Sequence, residues 1–169
     1  MELWDAYDRD EKRTGGTLVR GEPIPDGLYH LTCEVLVRHV DGDYLLMRRA
    51  QSKDVYPGYY EATSGGAAQK GESPIKCIER ELREETGIAQ GTFTQIAWHV
   101  LEDAHSFCYD YLCITACDKN GLVLQAGETE GWKWLTEDEF IAFVNSDEGI
   151  LPQKARFKPY FIEKGYLHS

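Results

Sequence analysis

The sequence contains no apolar run that approaches the ~20 residues a membrane-spanning helix requires, which argues against a membrane protein. Its five cysteines are odd in number and form no Cys-x-x-Cys pair, so a disulfide framework is not expected. Positive charge is also scarce: 18 Lys and Arg stand against 29 Asp and Glu, giving a formal net charge of −11. Such an acidic surface argues against a broad nucleic-acid footprint.

The N-terminal segment also lacks a feature. Residues 1–5, Met-Glu-Leu-Trp-Asp, have neither the basic nor the apolar region of a signal peptide, so we expect a cytoplasmic protein. With 169 residues and 42% hydrophobic content, the chain is long enough for a sizeable core. We expect one domain over 1–169, in which 1–30 form an N-terminal extension. Whether it forms a homodimer stays open.

Three glutamates stand out among the residues that are present. Glu81, Glu84 and Glu85 recur at i, i+3 and i+4, which places them on one helix face within an arc of roughly 100°. Like charges at these spacings cost a helix a few tenths of a kcal/mol per pair, so a positive partner is expected. Mg²⁺ prefers oxygen ligands and usually shares its shell with substrate phosphates. The pattern therefore predicts a site for Mg²⁺, with Mn²⁺ as the alternative, and a phosphorylated small molecule as the partner.

The glutamates belong to a longer pattern that runs from Gly66 to Ile88. It reads Gly-x5-Glu-x7-Arg-Glu-U-x-Glu-Glu-x-Gly-U, with U apolar, and every specified position is filled. Seven fixed residues at about 6–7% each give a chance match on the order of 10⁻⁸ per starting position. The pattern resembles the Nudix box. This resemblance implies a Mg²⁺-dependent pyrophosphohydrolase that cleaves a diphosphate linkage in a nucleoside diphosphate-X or another organic diphosphate.

The resemblance also implies roles for the box residues. Glu84 and Glu85 are the first-choice metal ligands, and Glu81 is either a ligand or the base that takes the proton of the attacking water. Arg80 precedes Glu84 by four residues, and we expect it to orient a ligand carboxylate through an ion pair. In the family, the carbonyl before the first box glycine is often a metal ligand, and here that residue is Gly65.

The ends of the box helix can be predicted from local signals. Ser73 is a suitable N-cap, Pro74 suits the first helical position, and Gly87 is placed to end the helix. Glu72 has two open roles. It is a further metal contact, as in the family, or a favourable charge at the helix N-terminus.

Outside the box, we expect one further carboxylate to approach the metal. Glu128 is the first choice because it lies six residues before Trp134, and Glu130 is the alternative. Four residues before the box are candidates for substrate binding. They are Arg48, Arg49, Tyr60 and Glu61. The two arginines could equally be solvated charges, and the tyrosine could pack rather than stack on a base or sugar.

Alternation of apolar and polar residues predicts strands, and capping signals predict helices. The expected strands cover 31–38, 44–49, 92–102, 106–117 and 131–135, and the expected helices after the box cover 136–145 and 152–166. Pro159 lies inside the last helix, where it could split it. Residues 1–30 look irregular. Mixed strands between helices predict an α/β sandwich with a mixed sheet, which agrees with the Nudix fold.

Shorter segments resemble the Nudix branch related to isopentenyl-diphosphate isomerase. They include Trp-Asp-Ala-Tyr-Asp at 4–8 and Tyr29-His30. The isomerases carry an essential Cys after the Pro-Gly turn, whereas residues 62–68 here contain neither Cys nor His. Hydrolysis is therefore preferred, and an isoprenoid diphosphate isomerase remains an alternative. A non-catalytic ligand-sensing domain is a second alternative, although such domains usually lack box carboxylates.

Overall fold

The structure is a computed structural model that describes residues 1–61 and 63–168, with the backbone alone at residue 63. Ala62, the first residue of the segment compared with the isomerases, lies outside the described residues. The strands are β1 Leu3–Tyr7, β2 Arg13–Val19, β3 His30–His39, β4 Tyr44–Arg49, β5 Tyr60–Glu61, β6 Thr63–Ala67, β7 Thr92–Leu101, β8 Ser106–Thr115 and β9 Thr129–Leu135. The helices are α1 Pro74–Thr86, α2 Glu137–Val144 and α3 Leu151–Lys164, and a 3₁₀ turn spans Glu102–Ala104.

Seven of the described strands form one mixed sheet. Five of them follow the order β5-β4-β3-β8-β7, and the other two, β6 and β9, pair with β3 and β4. Strand β3 pairs in parallel with β8, from His30 opposite Ser106 to His39 opposite Thr115. The remaining pairs are antiparallel: β6 pairs with β3, and β9 pairs with β4. The predicted α/β sandwich with a mixed sheet is confirmed.

Two apolar layers hold the helices against opposite faces of the sheet. Successive side chains of a strand point to opposite faces, and β3 follows this rule. Val35 contributes to the core that contains Ile78 and Leu82 of α1. Leu36, its neighbour, contributes to the core that contains Phe140 of α2 and residues of α3. Helix α1 is therefore fixed by burial of its apolar stripe, and its other faces remain available.

The ends of α1 agree with the prediction. Ser73 accepts a hydrogen bond from the backbone N–H of Lys76 at 3.4 Å, and Pro74 is the first helical residue. Gly87 ends the helix in the left-handed region at φ 77°, which a residue with a Cβ rarely adopts. No helix among the described residues is long and apolar enough to cross a membrane.

The prediction that residues 1–30 are irregular is wrong. Strands β1 and β2 form an antiparallel two-stranded sheet in which Leu3 lies opposite Val19 and Trp4 opposite Leu18. Trp4, Ala6 and Leu18 form a small apolar core of their own, against which Ala67 of β6 packs. The signal was weak because β2 begins with five consecutive exposed residues and contains two glycines.

Helix α3 is continuous through Pro159, so the proline does not split it. A proline inside a helix costs about 3 kcal/mol. Phe157, Tyr160 and Phe161 lie on both sides of it and are all buried. Burial of each large apolar side chain contributes roughly 1.5–3 kcal/mol, so their packing on the sheet outweighs the cost of the proline.

Candidate active site

Strands β1 and β2 form an N-terminal hairpin. A cleft of about 350 Å³ lies between α1, β6, this hairpin and the segment before β9. Its lining residues come from four parts of the chain: Glu2, Trp4, Arg20 and His30; Gly65, Gly66, Ala67 and Gln69; Arg80, Glu81, Glu84 and Glu85; Gln125 and Glu128. Glu81, Glu84 and Glu85 lie in this wall, and so do Gly65 and Glu128. Glu72, the box carboxylate for which a metal contact was one of two open roles, does not line it. The structure thus brings together residues separated by more than forty positions in the sequence.

Arg80 connects the carboxylates of the box. Its Nε and Nη2 donate to the two oxygens of Glu72 at 2.8 and 2.9 Å, and Nη1 donates to Glu81 at 2.7 Å and Glu84 at 3.2 Å. Nη2 also donates to the backbone oxygen of Ala67 at 3.1 Å. Only 15% of the side chain is exposed. The donors of Arg80 are therefore used within the protein, where they hold Glu72, Glu81 and Glu84.

The backbone of β6 passes unusually close to the box helix. A Cβ placed on Gly66 would lie 2.5 Å from the Oε1 of Glu81, so the space that a side chain would fill is occupied by the carboxylate. A Cβ on Gly65 would lie 2.3 Å from the backbone oxygen of Cys33. A side chain at position 65 would therefore meet backbone, whereas one at position 66 would displace the Glu81 carboxylate.

The acids of the cleft are short of positive charge. Burial, together with the charges of Glu81, Glu61 and Glu128, raises the pKa of the Glu85 carboxyl to about 8. Burial also raises the pKa of Glu81, although Arg80 opposes this effect. Glu61 does not line the cleft but its charge acts on Glu85, and burial raises the pKa of Glu61 to about 7 against the lowering effect of Arg49. A cation bound among these carboxylates would favour their ionised forms.

The donor set of the cleft fits a hard divalent cation, since five glutamates line its wall. Within 1–61 and 63–168, however, no three His, Cys, Asp or Glu side chains converge closely enough to enclose an ion as they stand. Two of the acids are in ion pairs: Glu84 contacts Arg80, and Glu128 contacts Lys53.

None of the four predicted substrate-binding residues lines the cleft. Arg49 pairs with Glu61 at 3.2 Å, and Arg48 pairs with Glu130 at 3.4 Å. The ring of Tyr60 is half-buried and carries a lysine ammonium 4.1 Å from its centroid. These side chains therefore make internal contacts beside the cleft, and their role in substrate binding stays a prediction.

The part of the wall that comes from the N-terminal region contains no residue predicted from the sequence to belong to the site. Trp4 stacks on His30 with ring centroids 4.1 Å apart and planes 11° from parallel. Glu2 accepts a hydrogen bond from the Trp4 indole at 2.7 Å and pairs with Arg20 at 2.9 Å. The sequence of β1, Leu-Trp-Asp-Ala-Tyr, does not alternate between apolar and polar residues, and nothing local indicates which site that strand faces.

Comparison with known proteins identifies the family. The profile of the NUDIX domain matches residues 28–160. An uncharacterized Nudix hydrolase of Listeria monocytogenes is 32% identical over 166 residues, which cover 96% of this chain and 91% of that protein. The chain belongs to the Nudix family of hydrolases.

Solved structures agree with this fold. The crystal structure of DR0079 from Deinococcus radiodurans has a TM-score of 0.71 at 20% identity and covers 94% of this chain and 99% of its own. The NUDIX domain of Shewanella oneidensis NrtR, solved in complex with ADP-ribose, has a TM-score of 0.54 at 17% identity. That match covers 68% of this chain and 77% of NrtR. At these identities, the likeness shows the fold alone.

Proposed function

We propose that this protein is a cytoplasmic, single-domain pyrophosphohydrolase that requires Mg²⁺, or Mn²⁺ in its place. It cleaves a diphosphate linkage in a nucleoside diphosphate-X or another organic diphosphate by attack of water. The observation that carries the proposal is the presence of Glu81, Glu84, Glu85 and Glu128 in the wall of one cleft. Four clustered acids are unfavourable without a cation, and phosphate is the group that Mg²⁺ commonly binds beside carboxylates.

Each acid has a part in this proposal. Glu84, Glu85 and Glu128 would hold the cation, together with the carbonyl of Gly65. When bound, the cation supplies positive charge that stabilises the attacking and leaving oxygens of the phosphoryl group. Glu81 is held by Arg80 at 2.7 Å and has a raised pKa, so it is suited to accept the proton of the attacking water or to serve as a further ligand. Arg80 keeps Glu81 and Glu84 in place.

The substrate group is best found by a screen with Mg²⁺. The panel contains ADP-ribose, suggested by the ligand of the NrtR domain, other nucleoside diphosphate sugars, nucleoside di- and triphosphates, and isoprenoid diphosphates. We expect release of a phosphorylated product, with ¹⁸O from labelled water in one phosphate. The Glu85→Gln variant, purified in parallel, controls for contaminating phosphatases. Equal product release by the variant and the wild type would contradict the proposal.

Isomerisation is the alternative reaction, because short segments of the sequence resemble the isopentenyl-diphosphate isomerase branch. The screen therefore also tests for it. Protonation of an alkene needs an acid near the substrate. The cysteines are buried or partly buried, and none lines the cleft. This arrangement favours hydrolysis. An isomerised isoprenoid diphosphate recovered without phosphate release would favour the isomerase.

A further inference from the structure

The N-terminal hairpin is fixed to the loop of the Nudix box. The backbone N–H of Lys70 donates to the oxygen of Leu3 at 2.8 Å, and the N–H of Gly71 donates to the Asp5 carboxylate at 2.8 Å. Trp4 packs beside Ala67 at the same border. These contacts place one end of the hairpin in the wall of the cleft, so a side chain from that end can reach a molecule bound beside α1.

The cleft is acidic, and a phosphorylated molecule needs cations from its wall. Among the described residues that line it, the positively charged side chains are those of Arg20 and Arg80. The donors of Arg80 are used by Glu72, Glu81, Glu84 and Ala67. Arg80 cannot turn to a substrate without releasing those acids.

Arg20 is in a different situation. Its side chain is 66% exposed and pairs through Nη1 with the Oε2 of Glu2 at 2.9 Å. Exposed ion pairs of this kind contribute roughly 0.2–1 kcal/mol, so this one can be exchanged readily. A guanidinium that meets phosphate oxygens can form two parallel charge-assisted hydrogen bonds, which are stronger.

Glu2 holds Arg20 at the cleft. One oxygen of Glu2 accepts from the Trp4 indole, which is buried and stacked on His30, and the other pairs with Arg20. In this pair the guanidinium belongs to the lining of the cleft that Glu81, Glu84 and Glu85 also line. Glu2 also competes with any phosphate for the same donors.

We propose that Arg20 is a substrate-binding residue, which exchanges Glu2 for a phosphate oxygen of an organic diphosphate in the cleft. This inference rests on the proposed function, because it takes the diphosphate as the ligand. Arg20 supplies from the hairpin the positive charge that Arg80 cannot supply from α1. The residue thus contributes to substrate affinity, and the box acids contribute to turnover.

The test measures binding of methylenediphosphonate, a diphosphate analogue with a carbon bridge, by calorimetry in the presence of Mg²⁺. We expect Arg20→Gln to raise Kd about tenfold or more, because two charge-assisted hydrogen bonds are lost. Arg20→Lys retains the charge but not the planar guanidinium, and we expect its Kd to lie between those of the wild type and Arg20→Gln. Arg9→Gln is the matched control, since Arg9 is another exposed arginine of the hairpin region that pairs with Glu102 and does not line the cleft.

A second variant separates substrate binding from a structural role. In Glu2→Gln, the carboxylate that competes with the phosphate for Arg20 is removed, and we expect the Kd of the analogue to fall by about two- to fivefold. If the pair merely held the hairpin in place, Glu2→Gln and Arg20→Gln would weaken binding in parallel. That result would overturn the inference, as would wild-type affinity in Arg20→Gln or failure of the wild-type protein to bind the analogue.

Kinetics distinguish failure of this inference from failure of the proposed function. With a hydrolysed substrate, we expect Arg20→Gln to raise KM about tenfold and to leave kcat within about threefold. An unchanged KM would overturn the role of Arg20 while the hydrolase proposal stands. Binding of the analogue that depends on Arg20, in a protein that hydrolyses no organic diphosphate, would support the role of Arg20 and contradict the hydrolase proposal.

Discussion

Arg80 and Glu72 form a two-bond ion pair that joins helix α1 to the loop before it, with Nε–Oε1 and Nη2–Oε2 distances of 2.8 and 2.9 Å. The other oxygen contacts of the same guanidinium reach Glu81, Glu84 and Ala67. Glu72 is thus the main partner of Arg80 and does not line the cleft, and its role as a metal contact or as a charge at the helix N-terminus stays a prediction. Removal of Arg80 leaves the largely buried Glu72 carboxylate without its counterion.

We expect Arg80→Lys to lower kcat or Mg²⁺ affinity by about 10- to 100-fold, as is typical for groups that orient metal ligands. Lysine keeps the charge but cannot contact Glu72 and Glu81 with separate fixed donors. Initial rates over a Mg²⁺ titration measure the effect. Arg83→Lys, on the exposed face of the same helix, is the control. Equal rates in the two variants would contradict a positioning role.

The two glycines of β6 separate activity from stability. In Gly66→Ala the new methyl group meets the flexible carboxylate of Glu81, which can move aside. We expect activity to fall sharply while the midpoint of thermal unfolding changes little. In Gly65→Ala the methyl group meets the Cys33 backbone, and we expect a loss of roughly 1–3 kcal/mol in the free energy of unfolding. Urea unfolding and rate measurements on both variants check this. The reverse assignment would contradict the geometry.

Glu128 and Glu130 differ in the structure although they are two residues apart. Glu128 lines the cleft and pairs with Lys53, whereas Glu130 pairs with Arg48 and accepts from the backbone of Gln51. We expect Glu128→Gln to reduce activity at low Mg²⁺ and to be partly rescued by more metal, because a carboxylate ligand is lost. Glu130→Gln should be nearly silent. The opposite ranking in a Mg²⁺ titration would refute the assignment of Glu128.

Stability should depend on His30 at acidic pH. Burial lowers the pKa of His30 to about 4, from an ordinary value of 6.5. In the unfolded chain, His30 therefore binds a proton as the pH falls below 6.5, whereas in the folded protein it binds one only near pH 4. Stability that is fully present above pH 6.5 is lost as the pH falls through this window, by up to about 3 kcal/mol.

Urea unfolding at pH 7, 5.5 and 4.5 checks this for the wild type and His30→Gln. The comparison is needed because Glu85 and Glu61 have raised pKa values, which oppose the trend by favouring the folded state as the pH falls. We expect the wild type to lose more stability than the variant between pH 7 and 4.5. Parallel pH profiles would show that His30 contributes nothing to the dependence.

The parts of the fold that depend on neighbouring residues can be predicted from the sequence. Helix α1 has its cap at Ser73 and its end at Gly87, and the 100° spacing places the glutamates on one face. The capping box of Thr136 and Glu139 likewise marks the start of α2. The hairpin cannot be predicted in the same way, because its position depends on contacts with a loop more than sixty residues away, such as Leu3 with Lys70.

In the candidate site, too, the residues that are close in sequence can be predicted and those brought together by distant contacts cannot. The box spacing identifies Glu81, Glu84 and Glu85 because one helix carries them all. The sequence shows that Arg48 and Arg49 are positively charged, but it does not show that they form ion pairs with Glu130 and Glu61. For the same reason the sequence does not show that Arg20, far from the box, lies in the cleft wall. Pairing between distant strands decides these contacts.

The central claim is that the box carboxylates hold a metal that drives diphosphate hydrolysis. The most direct test is kcat for the best substrate of the screen, measured with Mg²⁺ for the wild type, Glu84→Gln and Glu85→Gln, and with EDTA for the wild type. We predict a loss of about 10²-fold or more in each variant and in EDTA, with an unchanged circular dichroism spectrum. Turnover that survives EDTA, or a Glu84→Gln, Glu85→Gln double variant that works near the wild-type rate, would contradict the account.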